Sequence, residues 1–455
     1  MRNVIRPLVL FALLCALVPS LSFASPNTIW IITNPDNSGS GTLREALENV
    51  SDGDTITFDP GVFPPSSPVT IILTSELPSL THNNVTLTAE DAGVILEGGA
   101  TSGGANGIIV TGSGNIVRGL RIQNFPAHGI YLAPGATGNT IGGDRTVGSG
   151  PYGQGNLLGF NGGNGIEIKG PGSSGNFIQG NFIGVDPLGM YAWPNGLNGV
   201  ALWSGTSNNT VGGTSAGVRN VISGNTQNGV WIQGSGSTGN VVAGNFIGVR
   251  ADGMEWLGNG FAGVSLQGGA ADNLIGGTTA GARNIISGNQ SNGIYLSDSG
   301  TTGNQILGNY VGTNVGGTAA IWQRFHGISI TQGASGNFIG NGTEAGRNVL
   351  SGNEMAGVSI EGSTTTDNTV QGNYLGTNPT GTASVGNGLD GLLLQGETNG
   401  NLIGGNRLAG EGNLLSGNLN HGLVITTGAH DNTIQGNLIG PDASGTFSLG
   451  HQPWG

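Results

Sequence analysis

Apolar and polar residues alternate in short runs along most of this chain. A glycine is followed by an aliphatic, a variable and a second aliphatic residue, and this phrase recurs from residue 108 onward. Such alternation sends the outer two side chains to one face of a strand and the middle one to the other. The sequence therefore predicts strands with one buried face, which begin at Ile108, Ile130, Ile166, Val200, Val230, Val264, Ile294, Ile328, Val358, Leu392 and Leu423.

The segments between these strands repeat with a period of about 64 residues. The phrase Asn-apolar-apolar-Gly returns at Asn273, Asn337 and Asn401, and the strand openings from Ile166 to Leu392 alternate between a longer and a shorter separation. A fixed period of this kind indicates a solenoid. Each block then forms two coils of about 32 residues, which places every strand phrase on one sheet. Three coils of about 21 residues per block are the alternative.

Stacked coils explain both the aliphatic and the asparagine positions. Each strand would pair in parallel with its counterpart about 4.8 Å away, and each buried aliphatic side chain would contribute about 1.5–3 kcal/mol. The asparagine beside each strand is expected to bond to the asparagine one coil above it. We therefore predict an all-β fold, a parallel β-helix.

One segment near the N-terminus has helical spacing instead. Thr42 and Glu45 form a capping-box pattern, and a strand is predicted at 55–58. A helix at about 42–50 would cover the open first coil, so we divide the chain into an N-terminal cap (25–69) and a solenoid (70–455). Four apolar residues share one face of this helix: Leu43, Ala46, Leu47 and Val50.

Three phrases of the sequence resemble a known family. Arg219–Asn225 and Asn228–Ile232 resemble the repeat of pectate-lyase-like proteins, and Gly39–Leu47 resembles the segment that begins many bacterial secreted and cell-surface β-helix proteins. The resemblance covers nearly all of the chain and implies a right-handed single-stranded parallel β-helix with a short N-terminal capping helix. That fold hosts lyases, hydrolases, epimerases, adhesins and proteins without a known reaction, so it implies no single activity.

Residues 1–24 have the pattern of a signal peptide. Two arginines precede the apolar run Pro7–Pro19, and Ser22-Phe23-Ala24 fits a cleavage site. The apolar run is too short to favour a membrane span. Cleavage after Ala24 would remove Cys15 and leave a mature chain without thiols. We expect a secreted, extracellular or cell-surface protein.

Charged residues are sparse and mostly acidic. They make up 9% of the chain, and the formal net charge is -13. This sign argues against nucleic acid and anionic lipid as partners. It leaves open an acidic glycan held through calcium.

Hydrolysis of a glycan by the usual mechanism needs two carboxylates at a suitable separation. The resemblance implies, for pectin-hydrolysing members, clustered Asp pairs, Gly-His-Gly and Arg-x-Lys, and the sequence contains none of these. For lyases it implies acidic calcium ligands and an Arg or Lys base. Arg219, Arg283 and Arg347 recur with the repeat and are interpreted as structural. The remaining candidates do not recur with the 64-residue period, and we expect them to cluster on neighbouring coils. The alternative is that they are solvated surface charges. These candidates are Arg118, Arg121, His128, Asp144 and Arg145.

Three aspartates occupy matching loops of the repeat. Asp186, Asp252 and Asp442 are candidates for calcium bound between loops, and the alternative is that they begin turns. His326 and His421 precede the same strand phrase as His128, which indicates a turn role for all three.

The aromatic residues predict a binding surface. Trp193, Trp256 and Trp322 lie in the long loop of successive blocks and are expected to line one edge of the solenoid. Exposed rings in a row suit the apolar faces of sugar rings, whereas the alternative is that each tryptophan covers its own loop. Three more rings are expected on the outer face of the strands, at Tyr131, Trp231 and Tyr295.

These observations favour a glycan-contacting or adhesion-like surface protein. A polysaccharide lyase or related carbohydrate enzyme is the first alternative, and a structural spacer is the second. Gly455 follows Gly391 by one full period, so it stands where the next strand would begin. We therefore expect either that the chain is a truncated product of a longer gene or that its open last coil pairs with a second molecule.

Overall fold

The computed structural model describes residues 27–450, and within them the chain winds into three parallel β-sheets. Sheets A, B and C contain 14, 13 and 11 strands. From residue 108 to 439, each coil contributes one strand to each sheet, in the order C, A, B. The fold is a right-handed parallel β-helix, as predicted.

The strands of each sheet are short and follow one another along the solenoid axis. Sheet A consists of Ile29–Ile32, Thr55–Phe58, Thr86–Thr88, Ile116–Arg118, Thr140–Gly142, Phe177–Gln179, Thr210–Gly212, Val241–Ala243, Leu274–Gly276, Gln305–Leu307, Phe338–Ile339, Thr369–Val370, Leu402–Gly404 and Thr433–Gln435. Sheet B consists of Val69–Ile72, Val94–Glu97, Leu120–Gln123, Leu157–Gly159, Phe182–Ile183, Val221–Ile222, Phe246–Ile247, Ile285–Ile286, Tyr310–Val311, Val349–Leu350, Tyr374–Leu375, Leu414–Leu415 and Leu438–Ile439. Sheet C consists of Ile108–Val110, Ile130–Leu132, Ile166–Lys169, Val200–Trp203, Val230–Gln233, Val264–Gln267, Ile294–Ser297, Ile328–Thr331, Val358–Glu361, Leu392–Gln395 and Leu423–Ile425.

Each repeat block consists of two coils of unequal length. In the longer coil, the connection from sheet B to sheet C is a hairpin closed by antiparallel bridges such as Val185 with Ala192 and Val249 with Trp256. In the shorter coil this connection is direct, and the turn from sheet A to sheet B carries a 3₁₀ segment in several blocks. These segments are Ala216–Val218, Ala280–Ala282 and Arg407–Ala409. The strand phrases all fall on sheet C, so two coils per block is the arrangement found.

The core lies inside the three sheets. Val230, Ile232, Val264 and Leu266 are all 0% exposed, so they point inward as the alternation predicts. Burial of such a side chain contributes about 1.5–3 kcal/mol, and the stack repeats it in every coil. The interior is therefore one continuous apolar column.

Buried asparagines form hydrogen-bonded columns at the corners of the solenoid. Asn209 Nδ2 donates to Asn240 Oδ1 over 3.0 Å, and Asn240 Nδ2 donates to Asn273 Oδ1 over 3.0 Å. A second column precedes sheet B, and a third follows it, where Gln323 takes the place of one asparagine. Each amide also bonds to backbone carbonyls, which satisfies buried polar groups that would otherwise be costly.

The predicted N-terminal helix spans Leu43–Asn49, and its predicted apolar face is buried in the core. Thr42 Oγ1 accepts the backbone N–H of Glu45, as a capping residue should. The Glu45 carboxylate accepts the N–H of Gly41 instead of that of Thr42. The predicted strand is also found, at Thr55–Phe58.

The predicted signal peptide and residues 451–455 lie outside the described residues. Within 27–450, we find no helix with the length and apolar character needed to span a membrane. In the last described coil, Ile425 and Ile439 are about half exposed, at 50% and 49%. Self-association through this coil stays a prediction.

Candidate functional site

The outer face of sheet C brings together residues that are distant in sequence. The middle residue of each strand points outward, and the strands pair in register, so these side chains form a row along the solenoid, which we call the outward row. After Ile109, its members are Tyr131, Glu167, Ala201, Trp231, Ser265, Tyr295, Ser329, Ser359, Leu393 and Val424.

A groove of about 510 Å³ opens on this face around Trp231 and Tyr295, and we call it the sheet C groove. One strand separates the two rings, so they stand two strand spacings, or about 10 Å, apart along the axis. The remaining walls come from turns that lead into the strands. The residues that line it are Gln227, Asn228, Trp231, Phe261, Ala262, Gln267, Ser291, Asn292, Tyr295 and Phe325.

The rings of the sheet C groove are held from behind and open toward solvent. Trp231 Nε1 donates to Gln267 Oε1 over 3.1 Å, and the Trp231 ring centroid lies 6.2 Å from that of Trp203. Phe261 and Phe325 have exposed fractions of 57% and 46%. Exposed rings with fixed orientations form a binding surface that loses little conformational entropy when a ligand arrives.

Ser265 occupies the floor position between Trp231 and Tyr295. Alternation directs it outward, as predicted, yet it is only 1% exposed because neighbouring side chains cover it. Its Oγ atom has no hydrogen-bond partner within the described residues. If an aromatic ring beside Ser265 moved aside, a hydroxyl group of a ligand could form a hydrogen bond with the unpaired Oγ atom.

A second groove, of about 460 Å³, lies between two successive hairpin loops, and we call it the hairpin groove. Trp256 and Trp322 stand on its two walls, with exposed fractions of 63% and 48%. Arg324 and Glu354 also line this groove. Because Arg324 precedes Phe325 in the chain, one turn separates the hairpin groove from the sheet C groove.

Trp193 does not share the environment of the other two tryptophans. Its ring stacks on Phe160 with centroids 5.3 Å apart, and the Arg121 guanidinium lies 4.4 Å from its centroid. It packs against a small apolar cluster on the outer face of sheet B. For Trp193 the structure therefore favours the alternative in which a tryptophan covers its own loop.

The five irregular catalytic candidates are not brought into one cluster. Arg118 belongs to sheet A, where it pairs with Glu90 over 2.8 Å, and Arg121 belongs to sheet B. Asp144 accepts the N–H of Thr146, which caps a turn. The expected grouping is therefore not found, because neighbouring strands in the chain belong to different faces of the solenoid.

Arg145 is also used within the fold. Its guanidinium lies 3.5 Å from the centroid of the Phe182 ring, and Nη1 donates to the Gly180 carbonyl over 3.2 Å. Burial lowers the pKa of Arg145 to about 10. The repeated arginines use the same contact, since Arg219, Arg283 and Arg347 each lie 4.1 Å from the centroid of an aromatic ring.

His128 faces a carboxylate that the sequence reasoning missed. Its Nδ1 accepts the backbone N–H of Asn164 over 2.9 Å, so the proton of the neutral ring must be on Nε2. That Nε2 lies 3.2 Å from Oε2 of Glu167, which also accepts the side-chain amide of Asn164 over 2.6 Å. Burial lowers the pKa of His128, and Glu167 opposes this shift. The result is a histidine whose Nε2 lies close to a nearly buried carboxylate.

Two further polar side chains flank this pair. The ring centroid of Tyr131 lies 6.1 Å from that of His128, and burial together with the charge of Glu167 raises the pKa of Tyr131. Lys169, the only lysine of the sequence, stands in the same strand as Glu167 and lies 4.1 Å from the centroid of the Trp203 ring. His128, Tyr131, Glu167 and Lys169 thus form an ionisable cluster at the N-terminal end of the outward row.

His326 provides an internal comparison with His128. Its Nδ1 also accepts a backbone N–H, from Ala356 over 3.2 Å, so it has the same place in the turn. Ser359 occupies the position that corresponds to Glu167. The predicted turn role is thus observed for His128 and His326, and the Glu167 carboxylate distinguishes His128 from His326. The Nδ1 of His421 instead lies 3.0 Å from Oδ1 of Asp390.

The calcium candidates support turns in this structure. Asp186 Oδ1 accepts the N–H groups of Met190 and Tyr191, and Asp442 Oδ1 accepts those of Thr446 and Phe447. Asp252 Oδ1 accepts the N–H of Met254. Within residues 27–450 no three His, Cys, Asp or Glu side chains are grouped as metal ligands would be. A calcium site stays a prediction.

Phe261, Phe325 and Glu167 are the site residues that the sequence reasoning overlooked. The two phenylalanines are one full period apart, so the repeat itself relates them. Glu167 stands at the variable position of a strand phrase, where a charge among aliphatic neighbours is a signal in its own right. The spacing of the phenylalanines and the charge at position 167 are both visible in the sequence. That these side chains lie on the same face of the solenoid depends on how the coils stack.

Comparison with known proteins places the fold but not the family of this chain. No family model matches it, and no curated protein is similar to it. A double mutant of the periplasmic alginate epimerase AlgG is 11% identical, with a TM-score of 0.51 over 88% of this chain and 89% of that one. The A-module of the mannuronan C-5 epimerase AlgE6 of Azotobacter vinelandii is 14% identical, with a TM-score of 0.49 over 86% and 84%. The chain therefore has the fold of a right-handed parallel β-helix.

Proposed function

We propose that this protein is an exported or surface-exposed β-helix that binds a glycan along the outer face of sheet C. The observation that carries this proposal is the sheet C groove, in which exposed aromatic rings alternate with amide and hydroxyl groups. Sugar rings offer apolar faces to aromatic side chains and hydroxyls to amides, so this lining matches their chemistry. At 11% identity, the likeness to an alginate epimerase concerns the fold.

The hairpin groove extends the same proposal. Trp256 and Trp322 flank a second opening one turn away from the first, and both rings are largely exposed. A glycan that filled the sheet C groove would lie within reach of this second pair. Export follows from the signal-peptide pattern of residues 1–24, and cleavage after Ala24 is part of the proposal.

Paired substitutions test the binding role. Replacing Trp231 and Tyr295 with alanine removes two stacking surfaces worth about 1 kcal/mol each, which should weaken glycan binding about thirtyfold. The matched control replaces Phe177 and Phe338, which are 42% and 44% exposed on the outer face of sheet A. Affinity electrophoresis on a glycan panel measures both variants. Equal losses in both, or a loss in neither, would contradict a binding role for the groove.

The hairpin groove has its own variant. Replacing Trp256 and Trp322 with alanine should weaken binding by a similar factor while the melting temperature stays nearly unchanged, because both rings are exposed. A large fall in melting temperature with unchanged binding would instead support a covering role for these rings.

A carbohydrate enzyme is the second candidate, and the His128–Glu167 pair favours it. General acid–base catalysis needs a positioned proton donor or acceptor near the substrate, and His128 has a fixed Nε2 proton next to a carboxylate. Glycans incubated with the protein, with and without calcium, would be assayed for unsaturated products and new reducing ends. Turnover should be lost in His128→Asn and kept in His326→Asn. Turnover that survives in both variants would exclude this pair as the catalytic group.

A further inference from the structure

The lining of the sheet C groove differs from what an anionic ligand requires. Among the described residues, the ten that line it are all uncharged, and their polar atoms belong to amides and hydroxyls. A carboxylate or sulfate taken into such a groove loses water without gaining a cation. Sites for these anions normally supply arginine or lysine.

The cations closest to this face are engaged elsewhere. Lys169 lies over the Trp203 ring at 4.1 Å. Its strand comes two strands, or about 10 Å, before the strand of the groove that ends at Gln233. Arg324 adjoins Phe325 in the chain, but it lines the hairpin groove, where Glu255 and Glu354 stand on the same lining. Glu255 pairs with Arg250, and Arg324 Nη1 donates to Gln290 Oε1 over 3.4 Å.

The field of the whole chain acts in the same direction. The formal net charge is -13, with 26 acidic against 13 basic residues. A polyanionic chain approaching this surface is repelled at low ionic strength, and the repulsion decreases as salt screens it. A neutral polymer experiences no such barrier.

We propose that the sheet C groove selects a neutral, hydroxyl-rich glycan and rejects polymers that carry carboxylate or sulfate groups. This inference rests on the proposed glycan-binding function and narrows its ligand class. Trp231, Tyr295, Phe261 and Phe325 stack on the sugar faces, and Gln227 and Gln267 exchange hydrogen bonds with ring hydroxyls. The charge of the glycan, and not only the shape of its sugar rings, determines whether it binds in the sheet C groove.

The test uses polymers that differ in charge. The intact mature protein is titrated with neutral glucans, xylans, mannans and galactans, and with alginate, polygalacturonate and a sulfated galactan. Hydroxyethylcellulose and carboxymethylcellulose form a pair with one backbone, of which only the second is charged. We expect binding to at least one neutral polymer that is at least about tenfold tighter than to its anionic counterpart in low salt. This binding should weaken about thirtyfold in the Trp231, Tyr295 double-alanine variant and should change little with salt.

Each other outcome has a distinct meaning. Binding to anionic polymers alone, with or without added calcium, would overturn the inference and leave the proposed glycan binding standing. Binding to no polymer would overturn the proposed function itself. An affinity for the neutral polymer that is unchanged in the double-alanine variant would overturn the assignment to this groove.

A charge-introducing variant adds a gain of function. Gln227 lines the groove and contributes no charge, so Gln227→Lys supplies the cation that an anionic ligand would need. The ratio of the affinity for carboxymethylcellulose to the affinity for hydroxyethylcellulose should rise about tenfold. An unchanged preference would show that charge in the groove does not set the selectivity. The melting temperature and neutral-polymer binding of this variant report that it has folded.

Discussion

Asn245 provides a direct test of how the solenoid is held together. It is fully buried in the asparagine column that precedes sheet B. Its Oδ1 accepts the amide of Asn220 over 2.9 Å, and its Nδ2 donates to the Val211 carbonyl over 2.8 Å. The same Nδ2 donates to the Ala243 carbonyl and to Asn284 Oδ1, both over 3.1 Å. Asn245→Ala removes these side-chain bonds together.

The structure limits the size of the loss. Each such bond contributes about 1 kcal/mol net. Because Nδ2 has only two hydrogens, its three acceptors share two bonds, and with the accepted bond the set gives about 3 kcal/mol. Three partners keep another bond, however. Asn220 Nδ2 still donates to Ile178 O, Asn284 Oδ1 still accepts the Asn245 backbone N–H, and Ala243 O still accepts the N–H of Gly213. We therefore expect a loss of about 2 kcal/mol in the free energy of unfolding.

Hydrogen exchange and urea unfolding measure this loss. Because each coil contacts only its neighbours, exchange should accelerate most in the coils on either side of residue 245. Asn437→Ala is the control, since Asn437 is only partly buried in the last coil and water can replace its bonds. It should cost less than about 1 kcal/mol. Equal costs for the two variants, or none for Asn245→Ala, would refute the view that the column stabilises the stack.

Two further substitutions probe the core and the pH response. Val264→Asp places a charge in a fully buried position and should cost on the order of 5 kcal/mol, so a mutant that melts like the parent would show that the strand register is wrong. Burial lowers the pKa of His326 to about 4, and the nearby charge of Asp390 opposes this shift. Between about pH 6.5 and about pH 4, the His326 imidazole is protonated in the unfolded chain but not in the folded chain. Up to about 3 kcal/mol of the free energy of unfolding is therefore lost as the pH falls through this range. His326→Asn, which copies Asn292 one coil earlier, should remove this part of the pH dependence in urea unfolding, and an unchanged dependence would contradict the assignment.

The outward row on sheet C illustrates what could be read in advance. Alternation predicted that Trp231 and Ser265 point away from the core, because the period of a strand is local and needs no knowledge of neighbours. It could not predict that Ser265 is covered, because the cover comes from side chains on other coils. Whether an outward-pointing residue is buried therefore depends on the side chains of the neighbouring coils.

The three tryptophans show the same limit. Trp256 comes slightly less than one period after Trp193, and Trp322 comes slightly more than one period after Trp256, so the three occupy different positions of the hairpin loop. In such a loop, a shift of one position reverses the side to which a ring points. Trp193 consequently packs against the solenoid, whereas Trp256 and Trp322 face solvent.

The sequence by itself determined the 64-residue period, the strands of sheet C, their inward residues and the N-terminal helix, whereas the structure decided that each period contains two coils. Each of these depends on a pattern among near neighbours in the chain or on the repeat period, and both are visible in one dimension. The strands of sheets A and B include pairs such as Phe338–Ile339, which are too short to show alternation. Only the tertiary structure decided that His128 meets Glu167 of the next coil, and that Trp231, Tyr295 and Phe325 share one groove. Such contacts between side chains of different coils depend on how loops of unequal length bring successive coils into register.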